Sequence, residues 1–458
     1  MTEIRRNKMG YMPVKKLIIT MALPMMISML VQALYNVVDS IFVARIEERA
    51  LTAVSLAFPL QNLMIGLGSG MGVGINALLS RSLGEKNYDK ADEAACTGLM
   101  ITALHFIVFL LISIFVAGPF INGQTDDPVI RSYGTTYLKI VCGCSFGLFF
   151  QMTSERLLQS TGRTVHSMIL QATGAITNII LDPIMIFGLF GCPKMGIAGA
   201  AAATVIGQCL AATLGIFFNL KFNKDIRITM GKILRPTADT LRQLYSVGIP
   251  SVLMMAVGSV MSYLLNRILI SFSATATAVF GVYFKLQSFF FMPVFGLNSG
   301  LVPVLAFNYG ARRKDRIMEA LRFSLMLAGG IMCTGLVIFE LIPRELLALF
   351  NASPEMERIG VAALRIIAVN FPVASVCIIL GSTFQAFSRS IYSLIVSLCR
   401  QLLVLIPAAW LLAQLGEVTY IWFAFPIAET VSLVISLLLY RKIKREIIDK
   451  CVPQGEPL

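Results

Sequence analysis

The stretch Asn178-Ile-Ile-Leu-Asp182-Pro183 sets a carboxylate inside an apolar run from about residue 165 to 190. That run is long enough to cross a bilayer as a helix. An ionisable group at such depth is costly, and it marks a functional site by default. Asn178 and Asp182 are four residues apart and leave one helix face. Pro183 has no N–H, which frees the carbonyl of Ile179 within reach of that face. Carboxylate, amide oxygen and loose carbonyl form a donor set for a small hard cation or a proton. Desolvation disfavours a charged carboxylate, so proton, metal cation and cationic compound would compete for one negative charge. That competition is the minimum chemistry of an exchanger.

Other polar stripes cross apolar segments. Ser28, Gln32, Asn36 and Asp39 follow at spacings of four, four and three, with Tyr35 beside them, one stripe that would face a water-filled cavity. The plainer reading of Asp39 is a solvated group near a helix end. Gln151, Glu155 and Gln159 repeat every four residues, with Arg156 offering Glu155 an interfacial ion pair instead. Gln171 extends the stripe of Asn178 and Asp182, and Thr204 with Gln208 is either a ligand pair or helix–helix glue. Further along, Lys285, Gln287 and Asn298 cluster with Phe280, Tyr283, Phe284 and Phe289. Met25, Met26, Met29, Met254, Met255 and Met261 add a soft wall that could re-pack around varied compounds, or plain core filler.

Several motifs lead nowhere. Gly66-Leu-Gly-Ser-Gly-Met-Gly-Val-Gly74 lacks the Gly-Lys-Ser/Thr of a phosphate loop, so close helix packing is its expected role. With no nucleotide motif, energy must come from an ion gradient or a separate subunit. The nine cysteines are scattered, Cys142 and Cys144 being the one close pair, and read as small buried hydrophobes. His105 and His166 stand alone. No nucleophile–base or metal constellation appears, so an intramembrane enzyme is a lesser reading.

These residues must be positioned by a membrane scaffold. With 57% hydrophobic and 14% charged residues and a mean hydropathy of +0.78, the chain has no room for a sizeable soluble domain. About twelve spans are expected, near 17–43, 51–80, 94–118, 134–158, 165–190, 196–219, 243–268, 275–307, 317–342, 359–386, 391–414 and 419–441. The first is an uncleaved span, too long for a signal peptide. Lys and Arg gather on the side of the N-terminus, including Arg5, Arg6, Lys15, Lys16, Arg81, Arg163, Arg312, Arg313, Lys442 and Arg445. The positive-inside rule therefore puts both termini in the cytoplasm. It also accounts for the net charge of +13 without a nucleic-acid partner.

A shift of 226 residues lays the second half on the first. Pro24 falls on Pro250, Gln61 on Gln287, Gly74 on Gly300, Gly84 on Gly310, Pro128 on Pro354 and Arg163 on Arg389. Six spans per copy return the chain to the same side, which makes a parallel repeat and implies a central cavity. The acids break the symmetry, for Asp39 falls on Leu265, Glu155 on Gly381 and Asp182 on Ala408. Conversely, Lys285 falls on Pro59 and Glu429 on Ala203. Residues present in one copy alone are the better candidates for function.

The chain resembles the multidrug and toxic-compound extrusion (MATE) transporters, in particular their bacterial branch. The resemblance runs nearly end to end and is carried by Ala22-Leu-Pro24 with Asp39, Gly70 to Leu83-Gly84, Gln159 to Gly162, Asn178 with Asp182-Pro183, Met292-Pro293 and Gly296 to Gly310. It implies an all-α integral membrane protein of two parallel six-helix lobes around a central cavity. It also implies export of cationic amphiphilic small molecules by alternating access, driven by entry of Na+ or H+ with no other cofactor. Positions matching Asp39, Asn178 and Asp182 would bind that ion, sodium being the metal expected there. Glu155 matches a carboxylate implicated in some members, and Thr204 is the nearest hydroxyl on the sixth span. Substrate contacts are expected from Gln32, Tyr35, Asn36, Met255, Tyr283, Lys285 and Asn298. The acids expected on the seventh and tenth helices of some branches have no counterpart here.

The expected organisation is a cytoplasmic segment 1–16, an N-lobe 17–219, a basic linker 220–242, a C-lobe 243–441 and a cytoplasmic tail 442–458. A monomer in the plasma membrane is expected. The second reading is a flippase for lipid-linked oligosaccharides, kept open by Lys285, Arg267 and Arg400 and opposed by the acidic first half.

Overall fold

Helix Tyr88–Phe115 is built inside out. Leu104, Ile107, Val108, Leu111, Ile114 and Phe115 make an exposed apolar stripe, while Thr97, Thr102 and Ser113 are buried. Such a face is stable only against lipid, because water would penalise each exposed aliphatic group. Ten helices among the described residues are long and apolar enough to cross a membrane, or eleven when one bent pair counts as a single span. The computed structural model describes residues 7–46, 48–350 and 352–451, without the side chains of Val37, Ser40, Ile41, Ala44 and Glu48. Arg5 and Arg6 of the basic N-terminal segment and residues 452–458 of the tail lie outside the described residues. No strand occurs among the described residues.

In chain order the main helices are α1 (Val14–Ala44), α2 (Glu48–Gly84), α3 (Tyr88–Phe115), α4 (Pro128–Gly143), α5 (Phe146–Ser160), α6 (Thr164–Phe187) and α7 (Ile197–Lys221). The second copy supplies α8 (Ala238–Ile270), α9 (Ala274–Gly310), α10 (Lys314–Leu341), α11 (Pro354–Ala368), α12 (Phe371–Ala386), α13 (Ser390–Leu398), α14 (Ile406–Ala413) and α15 (Ala424–Glu446). From Glu48 to Phe187 the outer bounds of each helix recur 226 residues later. The turns recur too. Lys86 and Arg312 both have positive φ (58° and 53°), as do Gly162 and Ser388 (86° and 58°). Asp127 and Ser353 each cap the following helix with a side-chain oxygen.

The fourth expected span, 134–158, is not one helix. It is α4 and α5, of 16 and 15 residues, interrupted at Cys144 and Ser145. Its repeat mate breaks in nearly the same place, between α11 and α12, where the axis bends by 49°. Gly143 and Ser145 favour the first break, and Pro372, which cannot donate into a preceding turn, favours the second.

The chain forms two compact units, one built on Ile27–Gly248 and the other on Lys8–Met26 with Ile249–Leu458. Within the second unit the N-terminal segment is held by Arg316, whose Nη2 donates to the carbonyls of Met9 (3.0 Å) and Met12 (2.8 Å). Gly300 of α9 lets the Ala22 backbone approach, since a Cβ there would lie 2.8 Å from Ala22 Cα. In the first unit Gly74 plays the equivalent part, for its Cβ would lie 2.6 Å from the Leu244 carbonyl oxygen. The glycine-rich stretch is thus a packing face within α2, as its missing phosphate-loop residues predict. The basic linker docks on the start of α3. There Asp92 accepts from the Arg227 N–H at 2.7 Å, and Asp89 pairs with Lys232 at 3.5 Å.

Candidate functional site

In the first unit α6 and α7 approach closely because two glycines of α7 face α6. A Cβ on Gly199 would lie 2.5 Å from the Met185 carbonyl oxygen, and one on Gly207 would lie 2.6 Å from that of Gly174. Thr204, between those glycines, is thereby brought against Asn178. The Asn178 amide donates to Thr204 Oγ1 at 3.0 Å and more weakly to Asp182 Oδ1 at 3.4 Å. The Thr204 hydroxyl gives its own proton to the Ala200 carbonyl at 3.0 Å. Asp182 is fully buried and Asn178 nearly so.

The α1 stripe closes this corner. The Asp39 and Asp182 carboxyl groups are in contact, and the Tyr35 hydroxyl lies near Thr204. One turn and more along, Gln171 of α6 accepts from the Ser28 hydroxyl and donates to Gln32 Oε1 at 2.7 Å. An ionised carboxylate only accepts hydrogen bonds, so two in contact require a proton or a cation between them. Asn178 Oδ1 and Asp182 Oδ2 are buried and receive no hydrogen bond from a neutral or cationic donor among the described residues. Leaving such atoms unpaired costs ~1–3 kcal/mol each. The corner therefore gathers an acceptor set made of hard oxygens. Among the described residues no cluster of three His, Cys, Asp or Glu side chains supplies a conventional metal site, and the set is mixed carboxylate, amide and hydroxyl.

The remaining candidates are distributed. Asn36 is solvent-exposed on α1. Glu155 accepts from Gln151 Nε2 at 3.0 Å, while Arg156 turns to Gln159 Oε1 at 3.0 Å, a separate cluster on α5. In the second unit Tyr283 is buried against Phe280 and Phe425 and donates to Gln287 Oε1 at 2.7 Å. Lys285 is exposed with its Nζ 6.0 Å from the centre of the Phe350 ring, and Met255 is half-buried. Asn298 lines a cavity and accepts a short hydrogen bond from Ser382. His105, an isolated histidine by sequence, is packed on the Phe149 ring at 5.6 Å.

Sequence reasoning missed Tyr137 of α4, which is buried near both acids with half-buried Gln61 of α2 beside it. The repeat carried a signal, because Tyr137 falls on Ala363.

Comparison with known proteins bears on all of this. The sequence profile of the MatE family matches the chain twice, over residues 24–184 and 250–411. The two matches start 226 residues apart, the register of the internal repeat. Multidrug export protein MepA of Staphylococcus aureus is 27% identical over 435 residues, covering 93% of each chain. Its namesake in Staphylococcus haemolyticus is 24% identical over 432 residues, covering 94% of each. A solved structure described as the outward-facing conformation of a multidrug resistance MATE family transporter superposes with a TM-score of 0.91 at 22% identity, covering 98% of this chain and 100% of that one. A MOP superfamily transporter from Pyrococcus furiosus, whose reversed pocket polarity is described as suggesting a different function, superposes with a TM-score of 0.88 at 23% identity, covering 98% and 99%. These structures share the fold.

Proposed function

This chain belongs to the MatE family of membrane transporters, and on that premise we propose that it exports organic, mostly cationic compounds in exchange for Na+ or H+ by alternating access. The observation that carries the reading is the contact of Asp39 with Asp182 beside the unpartnered oxygens of Asn178 and Asp182. Two acids in contact are a poor arrangement for folding alone, because like charges at short range repel. They are a good arrangement for a group whose proton or cation must be taken up and released once per cycle. The names of the staphylococcal relatives support multidrug cargo.

The residues divide the work. Asp39 and Asp182 hold the exchangeable positive charge between them. Asn178 orients Asp182 and offers its own carbonyl oxygen, and Thr204 fixes the Asn178 amide. Tyr35 ties the α1 stripe to Thr204, so loss of the shared charge loosens α1 from α6 and α7. The bound ion supplies the charge compensation that lets the corner close, and Glu155 forms a second, weaker proton-accepting position on α5. Gln32, Asn36, Met255, Tyr283, Lys285 and Asn298 serve cargo. The working unit is one chain in the plasma membrane with both termini cytoplasmic.

The test is ethidium efflux from drug-sensitive cells and from vesicles with an imposed sodium or proton gradient. Wild type should show efflux under one gradient, and Asp182→Asn should lose it at equal membrane expression. Well-expressed wild type without gradient-driven efflux would overturn the reading and favour a lipid-linked cargo.

A further inference from the structure

The second unit contains a cavity of about 110 Å³ lined by Arg400, Asn298, Gln385, Ser393 and Ser397 among apolar side chains. We propose that this cavity is a binding site for a small anion, a halide or the carboxylate of an organic acid. The inference does not rest on the acid pair of the first unit, although Asn298 is shared with the proposed cargo contacts.

The cavity has a structural cause visible in the repeat. In the first unit the long side chain of Arg156 lies against Gly72 and bonds Gln159, and Gln159 Nε2 in turn donates to Ser167 Oγ at 2.9 Å. The equivalent residues in the second unit are Ser382, Asn298, Gln385 and Ser393. Arginine has become serine, which vacates volume, and the equivalent amide-to-serine bond is not made. Ser393 donates to the Gly381 carbonyl instead, at 3.1 Å.

What remains around the space is a set of donors. Asn298 Oδ1 accepts from Ser382, leaving its amide nitrogen unused. Ser397 Oγ accepts from Gln401 Nε2 at 2.8 Å, leaving its own proton to give. The Gln385 amide makes no hydrogen bond among the described residues, and no carboxylate lines the cavity. Donors without acceptors attract an anion.

Arg400 provides the charge. It falls on Gly174 of the first copy and lies midway along a span, where a guanidinium is costly without compensation. Its one ionic partner among the described residues is Glu429, at 3.5 Å, and Glu429 Oε1 is buried without a hydrogen bond. Five N–H donors on the guanidinium are thus met by one elongated contact. Arg400 also sits on a π-helical segment, Cys399–Leu405, whereas the equivalent turn of α6 stays α-helical. Such segments cost regularity and recur at functional sites. The size of the cavity admits a halide or a carboxylate with one or two waters and excludes a lipid headgroup.

The test is thermal unfolding of the purified chain in nanodiscs, with chloride or acetate replacing gluconate at constant sodium and ionic strength. Wild type should gain unfolding temperature saturably with chloride, acetate or both, and the stronger of the two names the ligand class. Arg400→Gln alone would strand Glu429, so the pair is removed together as Arg400→Gln with Glu429→Gln. That variant should lose the saturable rise. Ser397→Ala should weaken half-saturation by about tenfold, the weight of one hydrogen bond to a charged group. Asp182→Asn should keep the dependence. A wild type indifferent to both anions, or a paired variant that responds as wild type does, would overturn the proposal.

Discussion

The two units share one backbone plan and place their charged groups differently in their membrane-spanning interiors. The first buries Asp182 in contact with Asp39, and among the described residues no arginine or lysine pairs with either. The second places Arg400 midway along its equivalent span, with Ala408 where the first has Asp182 and Leu265 where it has Asp39. The outer helix bounds from Glu48 to Phe187, two turn conformations and the caps at Asp127 and Ser353 agree between the copies, while these side chains do not. The backbone is therefore a common frame, and polarity is a local property of each unit, set by substitutions that leave helix lengths alone.

The frame itself is the first thing to break. Gly74→Val and Gly300→Val should each prevent accumulation of folded protein, because the added side chain would drive into neighbouring backbone that cannot rotate away. Detergent-extracted fusion protein should lose its monodisperse peak in both variants, showing that the units depend equally on this contact. Next in size is the acid pair. Asp39→Asn and Asp182→Asn should each abolish gradient-driven efflux, and the double variant should be no worse than either, since the two act on one shared charge. A double variant additive in the singles would divide the pair into separate sites.

Sharper still is the comparison of Thr204 with its repeat mate Thr430. Thr204→Ala removes the acceptor of Asn178 and should lower efflux about tenfold, the worth of one hydrogen bond of ~1.4 kcal/mol. Thr430 is exposed and bonds only its own helix, to the Pro426 carbonyl, so Thr430→Ala should leave efflux unchanged. The smallest effect lies in a turn. Ser388 holds φ at 58°, where its partner position has Gly162. Ser388→Gly should stabilise the second unit by about 1 kcal/mol and Gly162→Ser should destabilise the first by a similar amount, read as opposite shifts in unfolding temperature.

Much of the frame was legible before any coordinates. Hydropathy placed the spans, and the 226-residue register predicted which helices would match. The break between α4 and α5 was not legible, because apolar composition continues across Cys144 and Ser145 and a hydropathy window averages over a two-residue interruption. The site was legible one helix at a time. A four-residue spacing puts Asn178 and Asp182 on one face, but periodicity says nothing about which helix packs against that face. The support of Thr204 depends on glycines that let α7 approach α6, and the contact of Asp39 with Asp182 depends on how α1 packs on α6. The repeat comparison found the acids, yet it would have passed over Thr204, whose mate is also threonine and whose role comes from the acids around it. The burial of Tyr283 against Phe280 and Phe425 likewise depends on packing between helices that composition does not reveal.

The equal turns have a consequence for how such a chain can change. From Glu48 to Phe187, each turn outside the internal break has a counterpart of the same length in the second copy. Adding one residue to a helix rotates everything beyond it by about 100°. A single insertion there would turn a lipid stripe inward and a polar stripe out. Substitution carries no such penalty, and the turn residues Lys86 and Arg312, or Gly162 and Ser388, differ freely at fixed spacing. A duplicated sequence under that constraint diverges by respelling its letters while keeping its metre.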